Sequence, residues 1–111
     1  MILTATADQR AACVSAADLL THQADGLRAT GSKTTVTALE KYAATLRRIA
    51  ASPSVELNDQ DKIDVEQASF VLESIRDGLM AADFRDRAQV VNGNVRALNE
   101  IVAAYNASST T

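Results

Sequence analysis

Apolar residues recur at helical spacing in four stretches of this chain. Residues three and four positions apart lie on the same side of an α-helix, so each stretch predicts a helix with one apolar side. The predicted helices and a polar tail cover residues 6–29, 34–51, 58–81, 84–106 and 107–111. We therefore predict an all-α fold in a single domain: a small bundle of four antiparallel helices that form two helical hairpins.

Local signals mark several helix ends. Thr6-Ala7-Asp8-Gln9 has the residues of a capping box, in which the Thr hydroxyl and the Gln side chain each bond a free backbone amide. Gly31 is predicted to end the first helix in a left-handed conformation. Pro53 ends the second helix, because its ring disfavours helical geometry in the preceding residue. Asn58, followed by acidic residues, opens the third.

The stretch from Asn58 to Asn106 contains two apolar series whose faces lie about 150° apart on a continuous helix. One helix cannot bury two such faces in one small core, so we favour a turn within residues 78–83. A turn at Asn92-Gly93-Asn94 is the first alternative, since this composition is typical of turns. An unbroken helix about 73 Å long is the second, and its exposed stripe would require a dimer or a larger assembly.

The second apolar series gives the first candidate partner-binding site. Its regular spacing places Phe84, Val91, Leu98 and Tyr105 on one face. If the chain turns before Phe84, these four residues complete the core of the chain itself. If it does not turn, they form a binding face for a protein partner or for a second copy.

Charge is distributed unevenly along the chain, although the net charge is only −3. Residues 55–82 contain seven acidic and two basic residues, whereas residues 32–54 carry a balance of +3. An acidic helix beside a basic one explains this pattern without a partner. As an alternative, an acidic face imitates a phosphate backbone and binds a basic protein surface, and its candidate residues are Asp61, Asp64, Glu66, Glu73 and Asp77.

Residues that would support catalysis are sparse. His22 is the only histidine, and Asp18 and Asp25 lie close to it on one helical face. Such a group is a candidate for a carboxylate-oriented base or a metal ligand, but a metal site needs further ligands. Cys13, the only cysteine, lies on the predicted core side and has no paired base. No phosphate-binding glycine motif or nucleophile elbow is present. We expect no enzyme activity, no cofactor and no bound metal.

The sequence therefore favours a non-catalytic helical protein–protein interaction module that acts through the apolar face of its C-terminal helix. By analogy with other small helical proteins, it would be an assembly component or adaptor, such as a phage or bacterial accessory protein. The alternative is a small acidic inhibitor that occupies the nucleic-acid-binding surface of a partner. We expect no direct nucleic-acid binding and no membrane association. Without a signal peptide, the expected location is the cytoplasm, or the virion if a phage encodes the chain.

Overall fold

A computed structural model describes residues 1–109 and confirms the all-α prediction. Over these residues the chain forms four helices and two short strands: β1 (Ile2–Thr4), α1 (Ala7–Leu27), α2 (Lys33–Ala50), β2 (Ser54–Glu56), α3 (Asp59–Ala81) and α4 (Arg85–Ser109). The last helix continues three residues beyond its predicted end at 106. Residues 110 and 111 of the predicted polar tail lie outside the described residues.

The helices form two hairpins, and ion pairs between α1 and α2 show that the first hairpin is antiparallel. Asp18 in the middle of α1 lies 3.3 Å from Arg47 near the end of α2, whereas Arg28 just after α1 lies 3.0 Å from Glu40. The two hairpins then pack on one another, α1 against α4 and α2 against α3. The result is a body of about 42 × 30 × 24 Å.

The second hairpin, formed by α3 and α4, is joined by polar contacts between side chains. Ser69 donates to Asn99 at 2.8 Å, and Arg76 donates to Asn92 at 2.9 Å. Later residues of α3 therefore meet earlier residues of α4, as an antiparallel hairpin requires. Large apolar side chains from all four helices meet in one core, where alanines such as Ala17 allow close approach of the helices.

The chain turns at the end of the favoured segment 78–83, through a left-handed residue that follows α3. Asp83 has a φ of 65°, and its amide donates to the carbonyl of Met80. The amide of Phe84 donates to the carbonyl of Leu79 at 2.8 Å, which completes a Schellman motif. Gly78, the glycine that we expected to end the helix, lies inside α3.

The alternative turn at Asn92-Gly93-Asn94 is absent, because α4 runs through these residues without interruption. Both asparagines are used to connect helices instead. Asn92 accepts from Arg76 of α3, and Asn94 donates to Ser15 of α1 at 3.0 Å. These asparagines therefore link helices. Composition alone does not distinguish an asparagine with this role from one in a turn.

We expect Gly93→Ala to raise the free energy of unfolding by about 0.5–1 kcal/mol, because glycine is costly inside a helix. A Cβ atom at this position would meet nothing within 4 Å. Urea denaturation monitored by circular dichroism measures the change.

Gly31→Ala is the contrasting variant, since a Cβ at Gly31 would lie 2.7 Å from the carbonyl oxygen of Leu27. It should destabilise the protein, and equal effects of the two variants would contradict this explanation. The prediction that Gly31 adopts a left-handed conformation is wrong, because none of the described glycines has a positive φ. The helix instead ends at Leu27, whose carbonyl accepts from the amide of Gly31 at 2.5 Å.

A two-stranded antiparallel sheet joins the start of the chain to the link between α2 and α3, and the sequence did not predict it. Its register pairs Ile2 with Glu56, Leu3 with Val55 and Thr4 with Ser54. Leu3 is buried on the core side of this ribbon, as is Leu57 immediately after it. Because each strand has only three residues, the alternation typical of strands is too short to recognise.

Candidate functional site

The predicted apolar face of α4 is largely buried within the chain. Val91, Leu98 and Tyr105 retain 3%, 0% and 8% of their surface exposure, whereas Phe84 at the turn retains 52%. The turn folds α4 back onto α3, so the four residues do not form one exposed face. Without opening the bundle, a partner cannot reach Leu98 or Tyr105 and meets only the small exposed part of Val91, whereas Phe84 remains accessible.

Tyr105 also has a polar contact that fixes the end of this hairpin. Its hydroxyl donates to the carboxylate of Asp59 at the start of α3. This hydrogen bond, followed by burial and by the negative charges of Asp59 and Asp61, raises the pKa of the Tyr105 phenol above its ordinary value. The contact gives Tyr105 a structural role between α3 and α4.

The five candidate acidic residues divide into two groups, and Asp64 belongs to the buried one. Its carboxylate accepts from the Thr45 hydroxyl at 2.8 Å and from the Gln60 amide at 3.1 Å. Lys41 of α2 lies 3.6 Å from the same carboxylate. Asp64 is 2% exposed and thus holds α3 against α2, so it is not part of a surface that a partner can reach.

Asp61 is likewise directed toward α2, where it lies 2.6 Å from the guanidinium of Arg48. It also accepts from the amide of Asn58, while the Asn58 side chain accepts from the amide of Asp61, which forms a capping box. Burial alone would raise the pKa of Asp61. The hydrogen bonds from Arg48 and Asn58, together with the charge of Arg48, outweigh burial and hold that pKa below its ordinary value.

The three remaining acids lie on the solvent side of α3, around an exposed aromatic ring. Phe70 is 57% exposed and Ile63 is 44% exposed. At 100° per residue, Glu66, Glu73 and Asp77 lie with these two residues in a sector of about 80°. We call this surface of five residues the outer α3 face. Both apolar residues lie opposite the core stripe, and their spacing in the sequence is the signal that identifies this face.

The salt bridges of these acids are local to α3. Glu66 lies 3.1 Å from Lys62, one turn earlier, and Asp77 lies 3.2 Å from the neighbouring Arg76. Within residues 1–109, Glu73 forms no ion pair. Exposed helical pairs of this type contribute little stability, so the face retains acidic groups that are available to a cationic partner.

A second surface is concave and apolar. It is a groove of about 430 Å³ between α1, α3 and α4, with walls formed by Leu19, Ile75, Leu79, Val90 and Val91. We call it the α1–α4 groove. Val90 is 61% exposed and extends the apolar surface of this concavity to solvent. An apolar concavity of this size accommodates one or two large side chains of a partner.

A cationic side chain lies beside this groove. The guanidinium carbon of Arg87 lies 5.4 Å from the ring centroid of Phe84, a cation–π arrangement that restrains it. Among the described residues, no carboxylate forms an ion pair with Arg87. The groove therefore combines apolar walls with a donor group that suits a carboxylate.

His22, the residue that we considered as a base or a metal ligand, is an exposed residue at the edge of the same groove. Its two acidic neighbours have other partners. Asp18 lies 3.3 Å from Arg47, and Asp25 lies 2.9 Å from Arg28. The geometry gives no support to a carboxylate-oriented histidine. Within residues 1–109, no cluster of three or more His, Cys, Asp or Glu residues could hold a metal ion.

Cys13 is completely buried in the core, as its position on the apolar stripe predicts. Burial raises the pKa of its thiol to about 11, because the thiolate would be poorly solvated there. A thiol that is protonated at neutral pH and closed to solvent does not act as a nucleophile.

Two exposed surfaces thus remain as candidates, the α1–α4 groove and the outer α3 face. In the part of the chain that the structure describes, no helix is both long and apolar enough to span a membrane. In comparisons with known proteins, no family model, curated protein or solved structure matches this chain.

Proposed function

We propose that this protein is a non-catalytic helical interaction module that binds an apolar segment of a protein partner in the α1–α4 groove. The observation that carries the proposal is Val90, which is 61% exposed at an apolar concavity. A monomer gains nothing from such exposure, whereas a partner that covers it gains about 25 cal/mol for each Å² of apolar surface removed from water. Phe84, the accessible residue of the predicted apolar face of α4, lies against Arg87 beside the groove.

The chemistry of the groove specifies the type of segment. Leu19, Ile75 and Leu79 supply apolar contacts, while Arg87 offers guanidinium donors to a carboxylate. An amphipathic helix fits this combination if an acidic residue lies beside its apolar side. In this role the protein would be an assembly component or adaptor, such as a phage or bacterial accessory protein, and we propose a cytoplasmic location for it.

Two fluorescein-labelled peptides of about 18 residues test the proposal, with leucines on one side and either glutamates or lysines on the other. We expect the glutamate peptide to bind at least about tenfold more tightly in fluorescence anisotropy, because Arg87 attracts its carboxylates. Val90→Glu should lower the affinity for the glutamate peptide at least about tenfold, since it places a carboxylate in the groove that repels the carboxylates of the peptide.

Val14→Glu is the matched control, because Val14 is 46% exposed and lies about 140° around α1 from Leu19. It should bind the glutamate peptide as the wild type does. The proposal fails if the lysine peptide binds equally well, or if Val90→Glu and Val14→Glu have the same effect. Circular dichroism of both variants verifies that their helices are retained.

The acidic inhibitor is the second candidate function, and the arrangement around Phe70 favours it. An exposed aromatic ring flanked by Glu66, Glu73 and Asp77 is suited to a basic surface that contains an apolar socket. Nucleic-acid-binding proteins offer such basic surfaces. Because Asp61 and Asp64 bind α2 within the chain, this candidate rests on the outer α3 face alone.

A further inference from the structure

We infer that the segment bound in the α1–α4 groove is the outer α3 face of a second copy of this chain, so that copies associate head to tail. The inference rests on the proposed function, since it requires the groove to bind an apolar segment with acidic neighbours. It adds the identity of that segment and predicts self-assembly.

The two surfaces complement one another in shape. Phe70 projects from a convex helical face, where it is 57% exposed. The groove is a concavity of about 430 Å³ with aliphatic walls, which is large enough for an aromatic ring. Aromatic side chains that fill apolar pockets are typical of the residues that dominate the binding energy of protein interfaces. Phe70 therefore has the properties of the anchor that this groove accepts.

The charges of the two surfaces are also complementary. Glu73 lies beside Phe70 and has no ion pair among residues 1–109, and Glu66 and Asp77 have only local ones. On the other surface, Arg87 also lacks an ion pair within the described part of the chain. Docking Phe70 in the groove brings carboxylates toward this guanidinium, which favours association and makes it dependent on ionic strength.

Symmetric arrangements are less favourable because each would join like charges. Two outer α3 faces would place glutamates against glutamates, and two grooves would place Arg87 against Arg87. The two surfaces also lie on different sides of α3, since Phe70 and Leu79 are separated by about 180° around the helix. Such a contact is heterologous, so it leaves one free surface at each end and permits further copies to add.

Sedimentation velocity from about 10 μM to about 1 mM tests this contact. The mean mass of the wild type should rise with concentration beyond that of a dimer, and the rise should diminish at high salt. Phe70→Ala and Val90→Glu should each weaken self-association at least about tenfold. Met80→Ala, an exposed apolar residue of α3 outside the outer face, should leave it unchanged.

Mixing the two defective variants gives the sharpest result. Phe70→Ala retains an intact groove, and Val90→Glu retains an intact outer face, so an equimolar mixture should form a 1:1 complex that does not grow further. Growth beyond two copies, or association of each variant with itself at wild-type strength, would overturn the head-to-tail arrangement.

The peptides distinguish failure of this inference from failure of the proposed function. If the wild type remains monomeric at every concentration but binds the glutamate peptide in its groove, the self-assembly inference is wrong and the proposed function stands. If it remains monomeric and binds only the lysine peptide, in a manner that depends on Phe70, the outer α3 face binds a basic partner and both are overturned. Absence of self-association and of peptide binding would also overturn both.

Discussion

Leu98→Ala is expected to lower the free energy of unfolding by about 2–5 kcal/mol, the largest stability effect that we predict. Leu98 has no exposed surface and lies in the core that all four helices share. Truncation removes buried methyl groups and leaves a cavity that the surrounding helices fill only in part. Urea denaturation monitored by circular dichroism measures this loss, which should appear as an earlier unfolding midpoint.

Phe84→Ala is the informative comparison, because Phe84 belongs to the same apolar series but is 52% exposed. It should change stability by less than about 1 kcal/mol, since it loses only surface contacts and the stacking of Arg87. If Leu98→Ala were as mild as Phe84→Ala, the C-terminal helix would not be packed in the core. The original alternative of an exposed binding face would then return.

Asp61→Ala is expected to cost about 2–3 kcal/mol at neutral pH, the second largest effect on stability. The variant removes the hydrogen bond that the Asn58 amide donates to the Asp61 carboxylate in the capping box, and hydrogen bonds to charged groups contribute about 1.5–3 kcal/mol. It also leaves Arg48 without the carboxylate that lies 2.6 Å from it. Since Arg48 is partly exposed, water replaces some of that interaction and the further cost is modest.

This contribution should depend on pH in a defined direction. The fold holds the pKa of Asp61 below its ordinary value, so the folded state favours the ionised carboxylate. The stabilisation is therefore complete above the ordinary aspartate pKa of about 3.9 and is lost as the pH falls through the lower folded-state pKa. The stability difference between the wild type and Asp61→Asn should narrow below about pH 4.

Asp77→Ala provides the control for this series, because the side chain of Asp77 is 71% exposed and its partner Arg76 is a sequence neighbour. It should alter stability by less than about 0.5 kcal/mol across the same pH range. A difference between wild type and Asp61→Asn that stayed constant down to pH 2 would contradict the assigned pKa direction.

The sequence was sufficient for features that are completed within a few residues. The capping box at Thr6 forms as predicted. The Thr6 amide donates to the Gln9 side chain at 2.9 Å, and the Gln9 amide donates to the Thr6 hydroxyl at 3.0 Å. The change of apolar face before Phe84 predicted the turn between α3 and α4, because a helix cannot bury opposite sides in one small core. The hydrogen-bonding partners in these features are local, so no knowledge of distant contacts is required.

Features that depend on distant partners were missed or misassigned. The pairing of Leu3 with Val55 joins segments more than fifty positions apart, and neither strand is long enough to show a pattern. Asp64 belonged to an acidic stretch by composition, yet it is buried because Thr45 and Lys41 of α2 supply its partners. The periodicity of the sequence indicates which residues share a side of a helix, but it does not indicate which part of the structure covers that side.

By itself, the sequence favoured four amphipathic helices over a single long C-terminal helix. It also predicted the ends of these helices to within a few residues and which residues share each face. Only the tertiary structure decided that Val91, Leu98 and Tyr105 face the core of the chain itself, leaving Val90 and Phe70 exposed. The reason is that a helix can bury its apolar side against any apolar surface of matching shape. Which surface is used depends on how the two hairpins pack together, and that is a property of the whole chain.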